Sequence, residues 1–136
     1  MISSLYEDSE CCVKVENDHT QWFKILTGVK QGCVLSPVLF GLAMDWLMRQ
    51  TIGAATRGLK WTETQEILED LDFADDIALI SVSTEDMQLK TDRLHELGQG
   101  IGLKISDKKT QLMTLGMSDP AITVAGKAVD KVTKST

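Results

Sequence analysis

Short apolar runs open the chain. Cys12 to Val15 and Trp22 to Thr27 have strand length, and Asn17-Asp18-His19 between them is turn chemistry, which predicts a hairpin. Gly28 to Gly32 reads as a loop bracketed by glycines. Ser36-Pro37 then opens a helix, with Ser as N-cap and Pro at the first helical position. The apolar residues that follow (Leu39, Phe40, Leu42, Ala43, Trp46, Leu47) wrap widely, predicting a well-buried helix to about Thr51. Gly53 and Gly58 break the next stretch. Ile67 to Phe73 and Ile77 to Val82 are strand-length runs on either side of Asp75-Asp76. Ile77-Ala78-Leu79-Ile80 lacks alternation, the pattern of a strand buried on both faces. Ser83 and Asp86 resemble a capping box ahead of a helix from about Glu85 to Gly98, with Met87, Leu94 and Leu97 on one face and Ile101 just beyond. Short strands are expected at Leu103 to Ile105, Leu112 to Leu115, Ile122 to Val124 and Ala128 to Val132. Strands and helices mix without regular βαβ alternation and without internal repeats, so the fold class is α+β.

Composition narrows this picture. The 136 residues suffice for one domain, and 43% hydrophobic with 25% charged residues excludes wholesale disorder. A net charge of −6 argues against a free-standing nucleic-acid binder. The charge is uneven: 8 basic and 17 acidic side chains over residues 1–99, against 6 lysines and 3 aspartates over residues 100–136. The longest apolar stretch, Val34 to Met48, is broken by Ser36, Pro37 and Asp45, so no membrane span is expected, and Met1-Ile2-Ser3-Ser4 offers no basic flank before an apolar run, so no secretory signal is expected. Three cysteines (Cys11, Cys12, Cys33) fit a reduced, intracellular setting. Their spacing relative to His19 is not that of zinc ligands, and they read as small hydrophobes. His95 reads as a partly exposed helix residue.

Three segments carry candidate chemistry. Phe73-Ala74-Asp75-Asp76 places adjacent carboxylates between two apolar strands, at the tip of a predicted hairpin. In an extended strand neighbours point apart, so two such groups converge only where the strand turns. The same pair also fits an ordinary surface turn. The run Glu63, Glu66, Glu69, Asp70, Asp72, Asp75, Asp76 reads either as a solvated face or as a site for a hard cation. Gly28-Val29-Lys30-Gln31-Gly32-Cys33-Val34-Leu35-Ser36-Pro37 combines glycines, which admit close backbone approach, with side-chain donors and a helix N-terminus. It serves equally as a capped connection. Gly102-Leu103-Lys104-Ile105-Ser106-Asp107-Lys108-Lys109-Thr110 enters a basic turn that by itself is a solvated loop.

In chain order, the three segments resemble the reverse transcriptases of non-LTR (LINE-type) retrotransposons. Gly28 to Pro37 is similar to that family's G-V-R-Q-G-C-x-L-S-P block, with Lys30 in place of Arg. Phe73-Ala74-Asp75-Asp76 is similar to its Y/F-A-D-D box. Gly102 to Thr110 is similar to G-L-x-I-N-x-x-K-T, with Ser106 in place of Asn, and Ile122 to Lys127 resembles the strand pair after it. The resemblance implies a partial palm of a right-hand polymerase: an antiparallel sheet with helices packed on one face. It implies that Asp75 and Asp76 are catalytic and hold Mg2+ (or Mn2+) for two-metal nucleotidyl transfer. It implies that Gly28, Lys30, Gln31, Gly32 and Ser36 serve template and nucleotide, bordering the cleft that the aspartates face. Lys109 would lie near the nucleotide phosphates, and Phe73 would flank the primer end, although Phe73 also reads as a hairpin core residue. The implied partners are an RNA template, a DNA primer and deoxynucleoside triphosphates.

The family's strand with a further metal-binding aspartate, in an A-F-D-like context, has no counterpart in these residues, nor have its fingers and thumb. The chain alone is therefore expected to be inactive, marginally stable and prone to self-association. The rival reading is a non-enzymatic relic or interaction domain derived from a retrotransposon. A small acidic magnesium- or calcium-binding protein is a third, and leaves the glycine-rich block unexplained.

Overall fold

The computed structural model describes residues 7–16, 18–26, 28–30, 32–53, 58–61, 66–116 and 120–132. The chain divides into two compact units, residues 1–40 and 41–136.

In the first unit, β1 (Glu10–Cys11) pairs antiparallel with β4 (Phe23–Lys24), and β2 (Lys14–Val15) with β3 (Asp18–His19). The two ladders belong to one ribbon. Between the Cys11–Phe23 pair and the Val13–Thr20 hydrogen bonds, Gln21 and Trp22 oppose Cys12 alone, so the ribbon carries a bulge. The expected hairpin forms; of its expected turn residues Asn17-Asp18-His19, Asn17 lies outside the described residues. Asp18 and His19 are strand residues, and Glu16 takes the positive φ (53°) that short hairpin loops require.

Helix α1 (Ser36–Ile52) matches the expected span. Ser36 is not its N-cap. It is the first helical residue, and its hydroxyl donates back to the Lys30 carbonyl; the helical ladder starts at the Leu35 carbonyl, which accepts from Leu39 N–H. The expectation of a deeply buried helix holds for one stripe only. Met44, Leu47, Met48 and Thr51, spaced 3, 1 and 3 apart, are buried, whereas Val38, Leu42 and Trp46 are exposed.

In the second unit, β5 (Leu59–Trp61) pairs with β6 (Glu66–Leu68), and β7 (Asp70–Phe73) with β8 (Asp76–Leu79), both antiparallel. The single run expected from Ile67 to Phe73 is thus two strands separated at Glu69. Helix α2 (Thr84–Gly100) follows. Its N-cap is Ser83, whose Oγ accepts from Asp86 N–H; the Asp86 carboxylate accepts the Ser83 hydroxyl, so the aspartate closes the box on the side chain. At the other end, Gly102 N–H donates to Gln99 C=O and Leu103 N–H to Gly98 C=O, a Schellman motif with Gly102 in the left-handed region at φ 81°.

Beyond it, β9 (Gln111–Met113) pairs parallel with β12 (Asp130–Val132), and the intervening chain makes the hairpin β10 (Thr123–Val124) and β11 (Lys127–Ala128). No strand forms at residues 103–105. Ile122, Val124 and Val129 form a buried cluster, against which Met87, Ile105 and Leu112 pack. Gln88 fastens this hairpin to α2, accepting from Thr123 N–H (2.8 Å) and donating to Thr123 C=O (2.9 Å).

The mixed α+β class therefore stands. One antiparallel sheet is not seen among the described residues: six two-stranded ladders are, one of them parallel.

Candidate active site

The Asp75-Asp76 pair occupies a tight hairpin. Its apolar flanks pair as Asp70–Leu79, Leu71–Ala78, Asp72–Ile77 and Phe73–Asp76, and Ile80 N–H donates to Glu69 C=O at 2.8 Å to close the base. The loop is Ala74-Asp75, with Ala74 at φ 57°. A non-glycine residue held there costs roughly 1–2 kcal/mol. The strain brings Asp75 into the turn and leaves Asp76 as the first residue of β8. Both aspartates are exposed.

Directly paired residues share a face, so the pleat sorts the ribbon. Phe73, Asp76, Leu71 and Ala78 lie on one face and are all exposed. Asp70, Leu79, Asp72 and Ile77 lie on the other, where Asp70, Ile77 and Leu79 are half-buried. This overturns two expectations. Ile77 to Leu79 is covered on one face, not both. Phe73 is no core residue, being 84% exposed.

The acidic run is not a uniform solvated face. Glu66, Asp72, Asp75 and Asp76 are exposed, while Glu69 and Asp70 are half-buried; Glu63 lies outside the described residues. Burial, with Asp72 beside it, holds the Asp70 carboxyl above the ordinary carboxylate range, against the pull of Lys90 and with a further push from Glu69. A hollow of about 520 Å³ borders this side, lined by Asp45, Met48, Arg49, Ile52, Asp70 and Asp72. Arg49 is paired with Asp45 at 2.9 Å.

The glycine-rich block lies in the unit of residues 1–40. Gly28 (φ 88°) and Gly32 (φ 83°) adopt backbone that only glycine takes without strain. The Lys30 carbonyl accepts from Cys33 N–H (3.2 Å) and from the buried Ser36 hydroxyl, folding the segment into a tight turn. Ser36 is thereby occupied in holding the loop. Gln31 lies outside the described residues. The block and the aspartates belong to different units.

In the third block, Ser106 C=O accepts from the Lys109 and Thr110 amides and from the Thr110 hydroxyl, making a turn that leaves Lys108 and Lys109 exposed. Lys127 pairs with Asp107 beside it. That hydrogen bond and charge pull the Asp107 carboxyl below its usual range, and Asp107 pushes the Lys127 ammonium up.

Sequence reasoning passed over Lys90. It stands at helical spacing from Met87 and Leu94, on the apolar face of α2, and that position is the signal that marks it. The cysteines, expected as small hydrophobes, form no disulfide among the described residues; Cys11 is exposed, and Cys12 and Cys33 are partly so. His95 is half-buried, in line with expectation, with Nε2 2.9 Å from Gln99 Nε2.

The donor set suits magnesium. Mg2+ keeps several waters and is commonly bound by one or two carboxylates together with substrate phosphates. Two exposed carboxylates in sequence at a loop tip meet that requirement. Among the described residues no group of three or more His, Cys, Asp or Glu side chains could make an all-protein cage. Nor is any helix among them long and apolar enough to cross a membrane.

The chain is similar to known proteins over most of its length. The chain is 28% identical over 111 residues, 82% of its length, to the "Retrovirus-related Pol polyprotein from type-1 retrotransposable element R2" of Nasonia vitripennis. It is 30% identical over 111 residues, 79% of its length, to the corresponding type-2 R2DM polyprotein of Drosophila melanogaster. It spans about a tenth of each of these relatives. The family described as "Reverse transcriptase (RNA-dependent DNA polymerase)" matches residues 1–134. With the Asp-Asp hairpin and a match over nearly its whole length, the chain belongs to the reverse transcriptase family, as a distant homologue of the R2 non-LTR retrotransposon polyproteins.

Proposed function

We propose that this chain is the part of a retrotransposon reverse transcriptase palm that carries Asp75 and Asp76, and that the whole enzyme copies an RNA template onto a DNA primer from deoxynucleoside triphosphates. The observation that carries the reading is the exposed carboxylate pair at a strained two-residue loop, set on a ribbon whose other face half-buries Ile77, Leu79 and Asp70. Asp75 and Asp76 would hold Mg2+, or Mn2+ in its place. When bound, such ions activate the primer hydroxyl and neutralise charge on the transferring phosphate. This chain's own residues orient the reactants. Phe73, on the same face as Asp76, offers an exposed ring to the primer end. Lys109 offers an ammonium to nucleotide phosphates. Gly28, Lys30, Gln31, Gly32 and Ser36 form the block that meets template and incoming nucleotide.

The reading assigns a further metal-binding aspartate to another strand of the palm, in the manner of the family. Residues 1–136 are thus a single partial palm domain, without fingers or thumb, and sugar discrimination lies outside them. Exposed apolar side chains such as Phe73, Leu115 and Trp22 support the self-association expected of such a part.

The test has two arms. Mn2+ titrated into the chain with a deoxynucleoside triphosphate should broaden the amide signals of Asp75 and Asp76 before others, and Asp75→Asn with Asp76→Asn should abolish the effect. Primer extension on an RNA template should show no incorporation above that double variant. Mn2+ settling elsewhere overturns the metal assignment, and template-dependent incorporation above the double variant overturns the expectation that this chain alone is inactive.

A further inference from the structure

The inward stripe of α2 is Met87, Lys90, Thr91, Leu94 and Gly98, and the lysine is its most enclosed member at 2% exposure. An ammonium is not buried so deeply unless it is paired, because removing it from water costs several kcal/mol. Its three N–H groups match three oxygens. Nζ lies 2.8 Å from the Ile80 carbonyl, 3.4 Å from the Glu69 carbonyl and 3.4 Å from Glu69 Oε1. Glu69 and Ile80 are not arbitrary partners. The Ile80 N–H bond to Glu69 C=O is the last rung of the ribbon whose other end is the Ala74-Asp75 loop. The ammonium therefore sits on both strands at the hinge end of the hairpin.

Among the described residues β7 and β8 pair only with each other, and the face bearing Leu71, Phe73, Asp76 and Ala78 is exposed. The ribbon acts as a lever. Five residues from base to loop span about 16 Å at roughly 3.3 Å each. A rotation of about 10° at the base thus moves the tip by about 3 Å, whereas productive geometry tolerates about 0.5 Å.

We propose that Lys90 is a positioning residue, whose buried ammonium locks the base of the ribbon onto α2 and so sets where Asp75 and Asp76 are held. The consequence for the metal rests on the reading of those two as metal ligands; the lock on the ribbon does not. Lys90 touches no reacting atom and acts through Glu69 and Ile80. Glu69 belongs to this device, not to the acidic surface at the tip.

Lys90→Met in the full 136-residue chain keeps the length of the side chain and removes the ammonium. Amide hydrogen exchange reads the outcome residue by residue. The Ile80 amide and the β7–β8 rungs should exchange at least about tenfold faster, while the β10–β11 hairpin changes less than about twofold. Mn2+ affinity at Asp75 and Asp76 should weaken by about fivefold or more in the same variant. Uniform acceleration across the unit would make Lys90 a stabilising residue only, and overturns the proposal. So does an unchanged ribbon, and so does a loosened ribbon with unchanged Mn2+ affinity. Should Lys90→Met not fold, Glu69→Gln decides. It retains both carbonyl contacts, and it should speed exchange several-fold at the same amides alone; no such local change overturns the lock. If the unaltered chain shows no Mn2+ at the aspartates while the ribbon responds to Lys90→Met, the polymerase reading fails and the lock stands.

Discussion

The inward stripe of α1 sets the sharpest stability contrast in the chain. Leu47 is 2% exposed, and Leu42, five residues earlier on the same helix, is 63% exposed. Truncating a buried leucine to alanine loses the transfer free energy of the removed carbons and leaves a cavity, together about 3 kcal/mol within a range of roughly 2–5. Leu42 loses only contacts it scarcely makes, and alanine is the better helix former, so Leu42→Ala should stay within about 0.5 kcal/mol of the parent. Thr51, two turns of stripe beyond Met44 and also 2% exposed, has an Oγ1 with no hydrogen-bond partner among the described residues. Its hydroxyl is a desolvated donor that gains nothing. Thr51→Val keeps the shape and should stabilise by about 1 kcal/mol. Urea unfolding followed by far-ultraviolet circular dichroism separates the three. With a slope of about 1.5 kcal/mol/M, Leu47→Ala lowers the midpoint by about 2 M, Leu42→Ala leaves it in place, and Thr51→Val raises it by about 0.7 M. Comparable losses for Leu47→Ala and Leu42→Ala would refute the argument, because the helix would then be covered all round as its sequence suggests.

Three further outcomes follow from local features. Asp70 has a carboxyl pushed up by burial and by Asp72, so its ionised form is the penalised one in the folded chain. The penalty is absent below the unfolded value of about 3.9 and grows as pH rises through that value toward the folded one; Asp70→Asn should therefore stabilise at pH 7 and lose its advantage near pH 3, read from paired thermal melts. Asp107, held low by Lys127, has the opposite sign: its contribution is present above about pH 3.9 and is lost as pH falls through its depressed folded value. Lys127, held high, contributes below about pH 10.4 and loses that contribution as pH rises through its raised folded value, so Lys127→Met should bring the carboxylate titration of Asp107 in nuclear magnetic resonance back to the ordinary range. At Gly58, a Cβ would run into the Leu68 carbonyl oxygen, which is backbone and cannot swing aside. Gly58→Ala should cost about 1–3 kcal/mol or shift the β5–β6 register, visible as loss of the Leu59–Leu68 cross-strand contact.

The hairpin that carries the aspartates was legible because its signals are local. Two apolar runs around Ala74-Asp75 encode a hairpin whatever surrounds it, and Gly102 marks the end of α2 because the left-handed region there excludes most side chains. What escaped depends on which face of an element meets the rest of the molecule. The unbroken Ile77-Ala78-Leu79-Ile80 run cannot tell a strand covered on both faces from one covered on a single face, and Phe73 carries no mark of its exposure. Ser36 has the composition of an N-cap, but the Lys30 carbonyl six residues back offers a competing acceptor for its hydroxyl.

Lys90 and Glu69 are the instructive pair. Read singly, each charge belongs in water. The sequence of α2 nonetheless places a lysine among Met87, Thr91 and Leu94, where helical periodicity demands an inward residue. An inward lysine requires oxygens to receive it, and the base of the ribbon offers the Glu69 and Ile80 carbonyls, each oxygen having two lone pairs. The helix and the hairpin thus meet at one point: the ammonium would otherwise lack acceptors away from water, and the carbonyls at the ribbon's base supply them, that of Glu69 in addition to its bond from Ile80 N–H. A misplaced charge in an amphipathic pattern is in this sense information about a partner element, and in this chain it leads from α2 to the ribbon that bears both aspartates.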